Sequence, residues 1–360
     1  MTKLIAAGIS HKTAPVEVRE QLAVKPCHLA DAAEVLKLFG HLDEIVLLST
    51  CNRVEIYGTT RQATGYIKSL FQLLCAEPRA LDSHTYLYED ADAARHLLRV
   101  AAGLDSTVLG ETEITGQIKN AYDIAREAGL TGPVLNRLFQ KAFQATKEIR
   151  TRTAIGRGTV SIKSAAVELI EKAFKSDLAN KSVMVVGAGE MAEHCVQLLV
   201  KKGVRLIFVS SRSHDRAIDL AMRCGRDAVC FGYCLFEMRD VDVVITATSS
   251  AETLLSCDDM ENLMKARHDH PLLLVDLSVP RNIDPAVGQL ENVTLYDMDD
   301  LGALARRGVQ GREGELSACH QIIEAHVAAL TEKLSTEEAQ SPWRSAQPQL
   351  STILLIPQPT

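Results

Sequence analysis

A cysteine among polar residues follows an apolar segment and is the first candidate for chemistry in this sequence. The segment EIVLLS, residues 44–49, runs directly into Thr50-Cys51-Asn52-Arg53. Strand ends are common places for reactive side chains. If the backbone stays extended there, Cys51 and Arg53 project from the same side, and the guanidinium can lower the pKa of the thiol or bind a substrate carboxylate. These residue types are equally compatible with a small, buried apolar cysteine.

A glycine turn is the second candidate. Gly187-Ala188-Gly189-Glu190-Met191-Ala192 follows the apolar segment SVMVV. The first glycine permits a tight turn, the second lets the backbone approach a pyrophosphate, and Ala192 replaces the third glycine where the helix meets the strand. The helix start offers amide donors and a positive dipole end to phosphate. The pattern predicts a dinucleotide site, and the alternative is an ordinary strand-to-helix turn.

The end of the next apolar segment indicates which dinucleotide binds. NAD sites carry an acidic residue there for the ribose 2′-hydroxyl, whereas this chain has Ser210-Ser211-Arg212. Hydroxyl groups and a guanidinium suit a 2′-phosphate. We therefore expect NADPH as the cofactor, with Ser211 and Arg212 at its 2′-phosphate, unless Arg212 only begins a solvated helix.

A cysteine nucleophile and a nicotinamide together favour one reaction. The thiolate displaces an activated acyl group to form a thioester, and hydride then releases an aldehyde. A thioester accepts hydride readily, whereas a free carboxylate does not.

Three regions of the sequence differ in their hydrophobic pattern, and together they predict an α/β multidomain protein whose domains position these groups. Residues 1–155 mix short apolar strands with helices, which indicates an N-terminal α+β catalytic domain. Residues 156–292, with a linking helix at about 156–178, alternate strands and helices as in a Rossmann-type, doubly wound nucleotide-binding domain. A C-terminal helical segment follows at 293–338, and 339–360 has the composition of a disordered tail. Because the cysteine and the cofactor fall on different domains, we expect a hinge near residues 155–180.

Composition limits the classes of partner. The net charge of −7 excludes nucleic-acid binding through a general positive excess, so any such binding needs local basic surface. The sequence lacks an apolar run long enough to span a bilayer and lacks a signal peptide, which predicts a cytoplasmic protein. The nine cysteines form no C-x-x-C pair, and no metal site is expected. The candidate basic surface comprises Lys141, Lys147, Arg150, Arg152 and Arg157.

Both candidate sites lie in longer motifs that resemble those of the glutamyl-tRNA reductase family. These are GISHKTAP at 8–15, STCNRVEIY at 49–57, HLLRVAAGLDSTVLGETEITGQIK at 96–119, and further on GAGEMA and DLSVPRNID. The resemblance implies NADPH-dependent reduction of glutamyl-tRNA to glutamate-1-semialdehyde, the first step of tetrapyrrole and haem biosynthesis by the five-carbon pathway. It also implies transfer of the aldehyde to glutamate-1-semialdehyde aminotransferase.

The same resemblance assigns roles to residues. Cys51 matches the nucleophile, Arg53 the clamp on a glutamyl carboxylate, and residues 187–192 the pyrophosphate loop. His96 matches a histidine needed for activity, acting by positioning or by proton transfer. Further positions match substrate contacts: Thr50, Asn52, Ser106, Glu111, Thr112, Glu113 and Gln117.

The sequence departs from the family pattern at three places. Glu113 stands where the family has glutamine, and Thr115 stands where it has an aliphatic residue. Members continue into a longer helical dimerisation domain, whereas residues 308–360 are all that follow Arg307, so we expect a shortened segment and not the full homodimer interface.

Three other functions stay open: an NADP-dependent dehydrogenase of a small acid, a non-catalytic NADP- or tRNA-binding regulator, and a homologue that no longer requires tRNA.

Overall fold

The computed structural model describes residues 2–75, 81, 83–156, 162–204, 206–248, 250, 252–268, 270–307 and 313–340. Within these residues lie two β-sheets, one of four strands and one of six, and helices pack around both. This arrangement confirms the predicted α/β fold with a helical C-terminal segment.

Four strands form the first sheet: β1 (Lys3–Ser10), β2 (Glu44–Ser49), β3 (Arg53–Thr60) and β4 (Tyr86–Glu89). They are antiparallel in the order β2-β3-β1-β4. Gly8 of β1 lies opposite Glu55 of β3. A Cβ on Gly8 would lie 2.5 Å from the carbonyl oxygen of Val54 and 2.8 Å from Cγ of Glu55, so the glycine leaves room for the Glu55 side chain.

Helices cover this sheet because their apolar residues recur three and four positions apart. On α5, for example, Leu135, Leu138, Phe139 and Ala142 are all buried. The helices are α1 (Val16–Leu22), α2 (Leu29–Phe39), α3 (Asp90–Ala101), α4 (Glu113–Glu127) and α5 (Pro133–Arg152), with 3₁₀ turns at Pro26–His28 and Ile67–Leu74.

Six parallel strands form the second sheet: β5 (Ser182–Val186), β6 (Leu206–Ser211), β7 (Asp227–Cys230), β8 (Val243–Thr246), β9 (Leu272–Asp276) and β10 (Val293–Tyr296). Their order is β7-β6-β5-β8-β9-β10. The strand order therefore reverses between β5 and β8. Doubly wound sheets bind ligands in the crevice at that point, outside the carboxyl ends of the strands.

The helices after residue 156 pack in two different parts of the fold. Most pack on the second sheet, whereas the last helix, α12, returns to pack on α3 and α5. They are α6 (Ile162–Phe174), α7 (Glu190–Lys201), α8 (His214–Cys224), α9 (Cys234–Glu237), α10 (Cys257–Ala266), α11 (Met298–Arg307) and α12 (Glu313–Gln340), with 3₁₀ turns at Lys175–Asn180, Phe231–Tyr233 and Pro285–Gln289.

One expected boundary is wrong. We expected the C-terminal segment to be helical from residue 293, but β10 pairs in parallel with β9 and extends the nucleotide-binding sheet to Tyr296. The helix α11 also packs on α6 and places Met298 and Leu301 in the core of that sheet. In the predicted linking helix, residues 157–161 lie outside the described residues, as do residues 341–360 of the predicted tail; the hinge stays a prediction.

Four of the five predicted basic residues lie on α5, and Arg157 lies outside the described residues. Arg150 donates to Thr115 at 2.5 Å, and Arg152 pairs with Glu148 at 2.5 Å. A nucleic-acid surface there stays a prediction. In the described part of the chain, none of the helices combines the length and apolar character that a membrane crossing requires.

Candidate active site

The turn between β2 and β3 carries Cys51. The hydroxyl oxygen of Thr50 accepts hydrogen bonds from the amides of Asn52 at 3.2 Å and Arg53 at 3.1 Å, and the Thr50 amide donates to the Arg53 carbonyl at 2.9 Å. The amide of His11 donates to the Asn52 carbonyl at 2.8 Å. The backbone is therefore a tight turn, so the condition under which Cys51 and Arg53 would project from the same side of an extended strand is not met.

Cys51 lies at the junction of two cavities. One is a small cavity of about 30 Å³ that it lines with Arg53 and Met191. The other is a cleft of about 840 Å³ that contains the glycine turn. Cys51 is partly exposed, and its apolar surface packs against the core of the nucleotide-binding sheet. Cys51 thus borders a cavity on each side of the domain boundary.

All eight predicted substrate residues line one or both of these cavities. Thr112 lines only the cleft, whereas Glu113 and Gln117 line both. The small cavity is further lined by Thr50, Asn52, Ser106 and Glu111. Thr115, one of the departures from the family pattern, instead donates its hydroxyl to the carbonyl of Ala101 at 2.7 Å.

The electrostatic surroundings of Cys51 differ from the expectation. Burial raises the pKa of the thiol to about 12, the carboxylates of Glu111 and Glu113 act in the same direction, and the guanidinium of Arg19 opposes them. Burial also raises the pKa of Glu111, with a further contribution from Glu113. The cation that favours the thiolate is therefore Arg19, a residue that the sequence did not single out.

Arg53 is fully buried and faces a set of acidic groups. Its guanidinium donates to Oε1 of Glu55 at 2.7 Å, to the carbonyl of Asp105 at 2.7 Å and to Oδ2 of Asp105 at 3.1 Å. The Glu55 carboxylate also accepts from the hydroxyls of Tyr57 and Tyr86. Burial acts to raise the pKa of Glu55, but Arg53 and then His96 hold it well below its usual range.

His96 lies behind Arg53 and outside both cavities. Its Nε2 is 2.9 Å from Oε1 of Glu55, and its ring lies 5.2 Å from that of Tyr86 and 4.9 Å from that of Tyr88. Because His96 reaches Arg53 only through Glu55, the geometry favours positioning over proton transfer to substrate.

The glycine turn has the shape that a pyrophosphate requires. Gly187 has φ +137°, and a Cβ there would lie 2.2 Å from the carbonyl oxygen of Ala247, so only glycine fits. Gly189 precedes α7 and faces open space, where a Cβ would meet no atom within 4 Å. Ala192 is fully buried beneath the turn, while Ala188, Glu190 and Met191 line the cleft. The turn therefore leaves its backbone open to a dinucleotide.

Ser211 and Arg212 lie at the end of β6 and line the cleft, as does Arg216 one helical turn further on α8. Arg212 is largely exposed, 3.7 Å from Glu252. Sequence reasoning missed Arg216, which lies in the first turn of α8 and lines the cleft together with Arg212. Two guanidinium groups and a hydroxyl fit a 2′-phosphate.

Lys163 is a second residue that sequence reasoning missed. Its ammonium is almost fully buried, lines the cleft, and lies 3.0 Å from Oε1 of Glu113 and 3.1 Å from Nδ1 of His194. A lysine on α6 therefore balances the charge of Glu113. Nothing in the local sequence around either residue signals this pairing.

Comparisons with known proteins agree over most of the chain. Residues 7–153 match the family model described as the N-terminal domain of glutamyl-tRNA(Glu) reductase, and residues 168–304 match that of shikimate/quinate 5-dehydrogenase. The glutamyl-tRNA reductase of Syntrophobacter fumaroxidans is 38% identical over 341 residues, which cover 93% of this chain and 74% of the relative. That of Pseudomonas aeruginosa is 40% identical over 335 residues, which cover 92% of this chain and 78% of the relative.

A solved structure is also similar. Glutamyl-tRNA reductase from Methanopyrus kandleri is 33% identical and has a TM-score of 0.52, and the match covers 94% of this chain and 82% of that one. The similarity thus spans both parts of the chain: the cysteine unit, which is the first sheet with its helices, and the nucleotide-binding unit, which is the second sheet with its helices.

Proposed function

Because the chain belongs to the glutamyl-tRNA reductase family, we propose that Cys51 is the nucleophile with which it performs the family's reaction. The activity is the reduction of glutamyl-tRNA with a nicotinamide cofactor, and the substrate is a charged tRNA. The observation that carries the proposal is the position of Cys51, which lines both the small cavity beside Arg53 and the cleft beside the glycine turn.

In the first half of the reaction, the sulfur of Cys51 attacks the carbonyl carbon of the aminoacyl ester. The carbon–sulfur bond forms, the carbon–oxygen ester bond breaks, and the tRNA leaves as its free hydroxyl after taking up a proton. Since burial raises the pKa of the thiol to about 12, it needs a nearby proton acceptor. Glu111 suits this role because it lines the same cavity and because burial raises its own pKa.

Arg53 orients the glutamyl group. Its guanidinium lines the small cavity and attracts a carboxylate by charge, while both of its terminal nitrogens already donate to Glu55 and Asp105. Glu55 and Asp105 hold the guanidinium in place, and His96 in turn holds Glu55. The polar groups of Thr50, Asn52, Ser106, Glu113 and Gln117 complete the contacts to the substrate.

In the second half, the acyl carbon gains two electrons as hydride, its bond to sulfur breaks, and the Cys51 thiolate leaves. NADPH, when bound, supplies that hydride. The glycine turn holds its pyrophosphate, and Ser211, Arg212 and Arg216 hold the 2′-phosphate that distinguishes it from NADH. The product is glutamate-1-semialdehyde, an aldehyde that begins tetrapyrrole synthesis.

The reactivity of this aldehyde suggests a protein partner that receives it. Transfer of the labile aldehyde directly to glutamate-1-semialdehyde aminotransferase would protect it from water. A homodimer and a cytoplasmic location stay predictions.

Thioester trapping tests the proposal and its rivals. Protein is incubated with glutamyl-tRNA labelled in the glutamyl group, without NADPH, and NADPH is then added. We expect label on the native protein and on the matched control Cys27→Ser, which removes an exposed cysteine, and no label or turnover with Cys51→Ser. Reductase turnover by Cys51→Ser would contradict the proposal. NADPH oxidation of a small acid without tRNA would favour the dehydrogenase, and cofactor binding without label would favour the regulator.

A further inference from the structure

Arg19 is a buried cation outside the predicted site that contacts the backbone of the nucleophile. It lies on α1 and is 1% exposed. Its Nη1 donates to the carbonyl oxygen of Cys51 and, at 3.4 Å, to Oδ1 of Asn52, and its Nε donates to the carbonyl of Ala14 at 3.2 Å. One guanidinium thus holds both the cysteine turn and the segment that precedes α1.

The remaining nitrogen of Arg19 reaches across the domain boundary. Its Nη2 donates to Oδ1 of Asp299, at the start of α11. That helix belongs to the nucleotide-binding unit, because Met298 and Leu301 are buried in the core of its sheet. Met298 also lines the small cavity beside Cys51. Arg19 therefore joins the carbonyl of Cys51 to the body that holds the nucleotide cleft.

A second contact joins α1 to the nucleotide-binding unit, and this one does not include the cysteine turn. Arg281 forms ion pairs with Glu17 at 2.8 Å and with Glu20 at 3.0 Å. Its amide and its Nε also donate to Glu20, both at 3.1 Å. This contact docks α1 on the nucleotide-binding unit, and so it offers a control that separates docking from positioning.

We propose that Arg19 is a positioning residue that places Cys51 for hydride transfer by holding its carbonyl and Asp299 at the same time. The inference rests on the proposed thioester chemistry of Cys51. Formation of the thioester requires the substrate, the cysteine turn and Glu111, and it needs no cofactor. Hydride transfer also requires the acyl carbon to lie about 3–3.5 Å from the donor, which depends on the position of the turn relative to the nucleotide cleft.

The two halves of the reaction should therefore respond differently to substitution. Asp299→Asn removes the carboxylate from a partly exposed helix start. We expect thioester formation without NADPH to stay within about twofold of native, and reduction of the preformed thioester to slow about tenfold, since a 1 Å displacement can cost about a hundredfold. Arg19→Gln should slow both steps, because it also releases the Cys51 carbonyl.

Double substitution separates positioning from docking. In an Arg19→Gln background, Asp299→Asn should cause no further loss of reduction rate, whereas Arg281→Gln should lower the rate by the same factor as it does alone. Hydrogen exchange without cofactor gives an independent readout. Asp299→Asn should speed exchange of the amides at residues 50–53, and Arg281→Gln should leave them at the native rate.

Two outcomes would overturn the inference. One is hydrogen exchange at residues 50–53 that is unchanged in Asp299→Asn. The other is a loss of reduction rate from Asp299→Asn that is the same in the native and the Arg19→Gln background. Because Asp299 is partly exposed, its variant remains informative even if Arg19→Gln fails to fold. Failure of the thioester proposal itself looks different, since native protein would then trap no label or Cys51→Ser would retain turnover.

Discussion

Nε2 of His96 lies 2.9 Å from Oε1 of Glu55, the same carboxylate oxygen that accepts from Nη1 of Arg53 at 2.7 Å. A histidine outside the cavities is thus connected to the guanidinium that lines one of them. That guanidinium, the proposed substrate clamp, is held by a buried layer of charged and aromatic groups beneath it.

Glu55→Gln tests how much this buried layer contributes to the free energy of unfolding. The change leaves the buried charge of Arg53 with less compensation, so we expect a loss of about 3 kcal/mol in the free energy of unfolding, measured by urea denaturation at neutral pH. The folded pKa of Glu55 is depressed, so its contribution is present above the unfolded value of 4.5 and is lost as the pH falls below it. The difference from native should shrink on acidification. Glu34→Gln, on an exposed face of α2, is the control.

Substitutions of His96 distinguish positioning from proton transfer. His96→Gln retains a donor near Nε2 and should keep reductase activity within about tenfold of native, whereas His96→Ala should lose about a hundredfold, since a hydrogen bond to a charged group is worth about 1.5–3 kcal/mol. Steady-state rates across pH provide the measurement. If both variants lose activity equally and one limb of the pH profile disappears, His96 transfers a proton.

Alkylation of Cys51 tests its electrostatic surroundings. With the thiol pKa raised to about 12, reaction with iodoacetamide should accelerate about tenfold per pH unit from neutral pH upward without a plateau. Glu111→Gln removes a carboxylate that raises this pKa and should increase the alkylation rate at a fixed alkaline pH. Peptide mass spectrometry follows Cys51, with the exposed Cys27 in the same sample as the internal control. An unchanged rate would place the Glu111 carboxylate too far from the thiol.

The pair of Lys163 and Glu113 should contribute to stability across the domain boundary. Glu113→Gln leaves a buried ammonium without its carboxylate, and we expect a loss of about 1–2 kcal/mol, because Glu113 is partly exposed. The double variant with Lys163→Met should recover most of that loss. The exposed pair of Lys202 and Glu171 is the control, and Lys202→Gln should cost less than about 1 kcal/mol in thermal or urea denaturation.

Cofactor preference should depend on two guanidinium groups. Arg212→Gln and Arg216→Gln should each weaken NADPH binding about tenfold, since a charge-assisted contact contributes about 1.5–3 kcal/mol, and should leave NADH binding unchanged. Titration calorimetry gives both dissociation constants. Arg223→Gln, on the same helix as Arg216 but paired with Glu193 outside the cleft, should change neither dissociation constant. Equal weakening for both nucleotides would place the 2′-phosphate elsewhere.

The nucleotide-binding unit could be predicted from the sequence because its signals are local. An apolar strand, a glycine turn and a helix start are consecutive, and the positive φ of Gly187 follows from this short stretch. The strand β10 could not be predicted, because its four residues Val293–Tyr296 carry little pattern and only pairing with β9 makes them a strand. The turn at Cys51 could not be predicted either, because it depends on the Thr50 hydroxyl, which accepts hydrogen bonds from two backbone amides.

The sequence by itself determined the family, the two-sheet architecture and the candidate nucleophile, since these depend on motifs of consecutive residues. Only the tertiary structure decided which charges surround that nucleophile. Arg19 meets Asp299, and Lys163 meets Glu113, across long separations in the chain. The cost of burying a charge is offset only by a partner nearby in space, and sequence spacing does not reveal which residue that partner is.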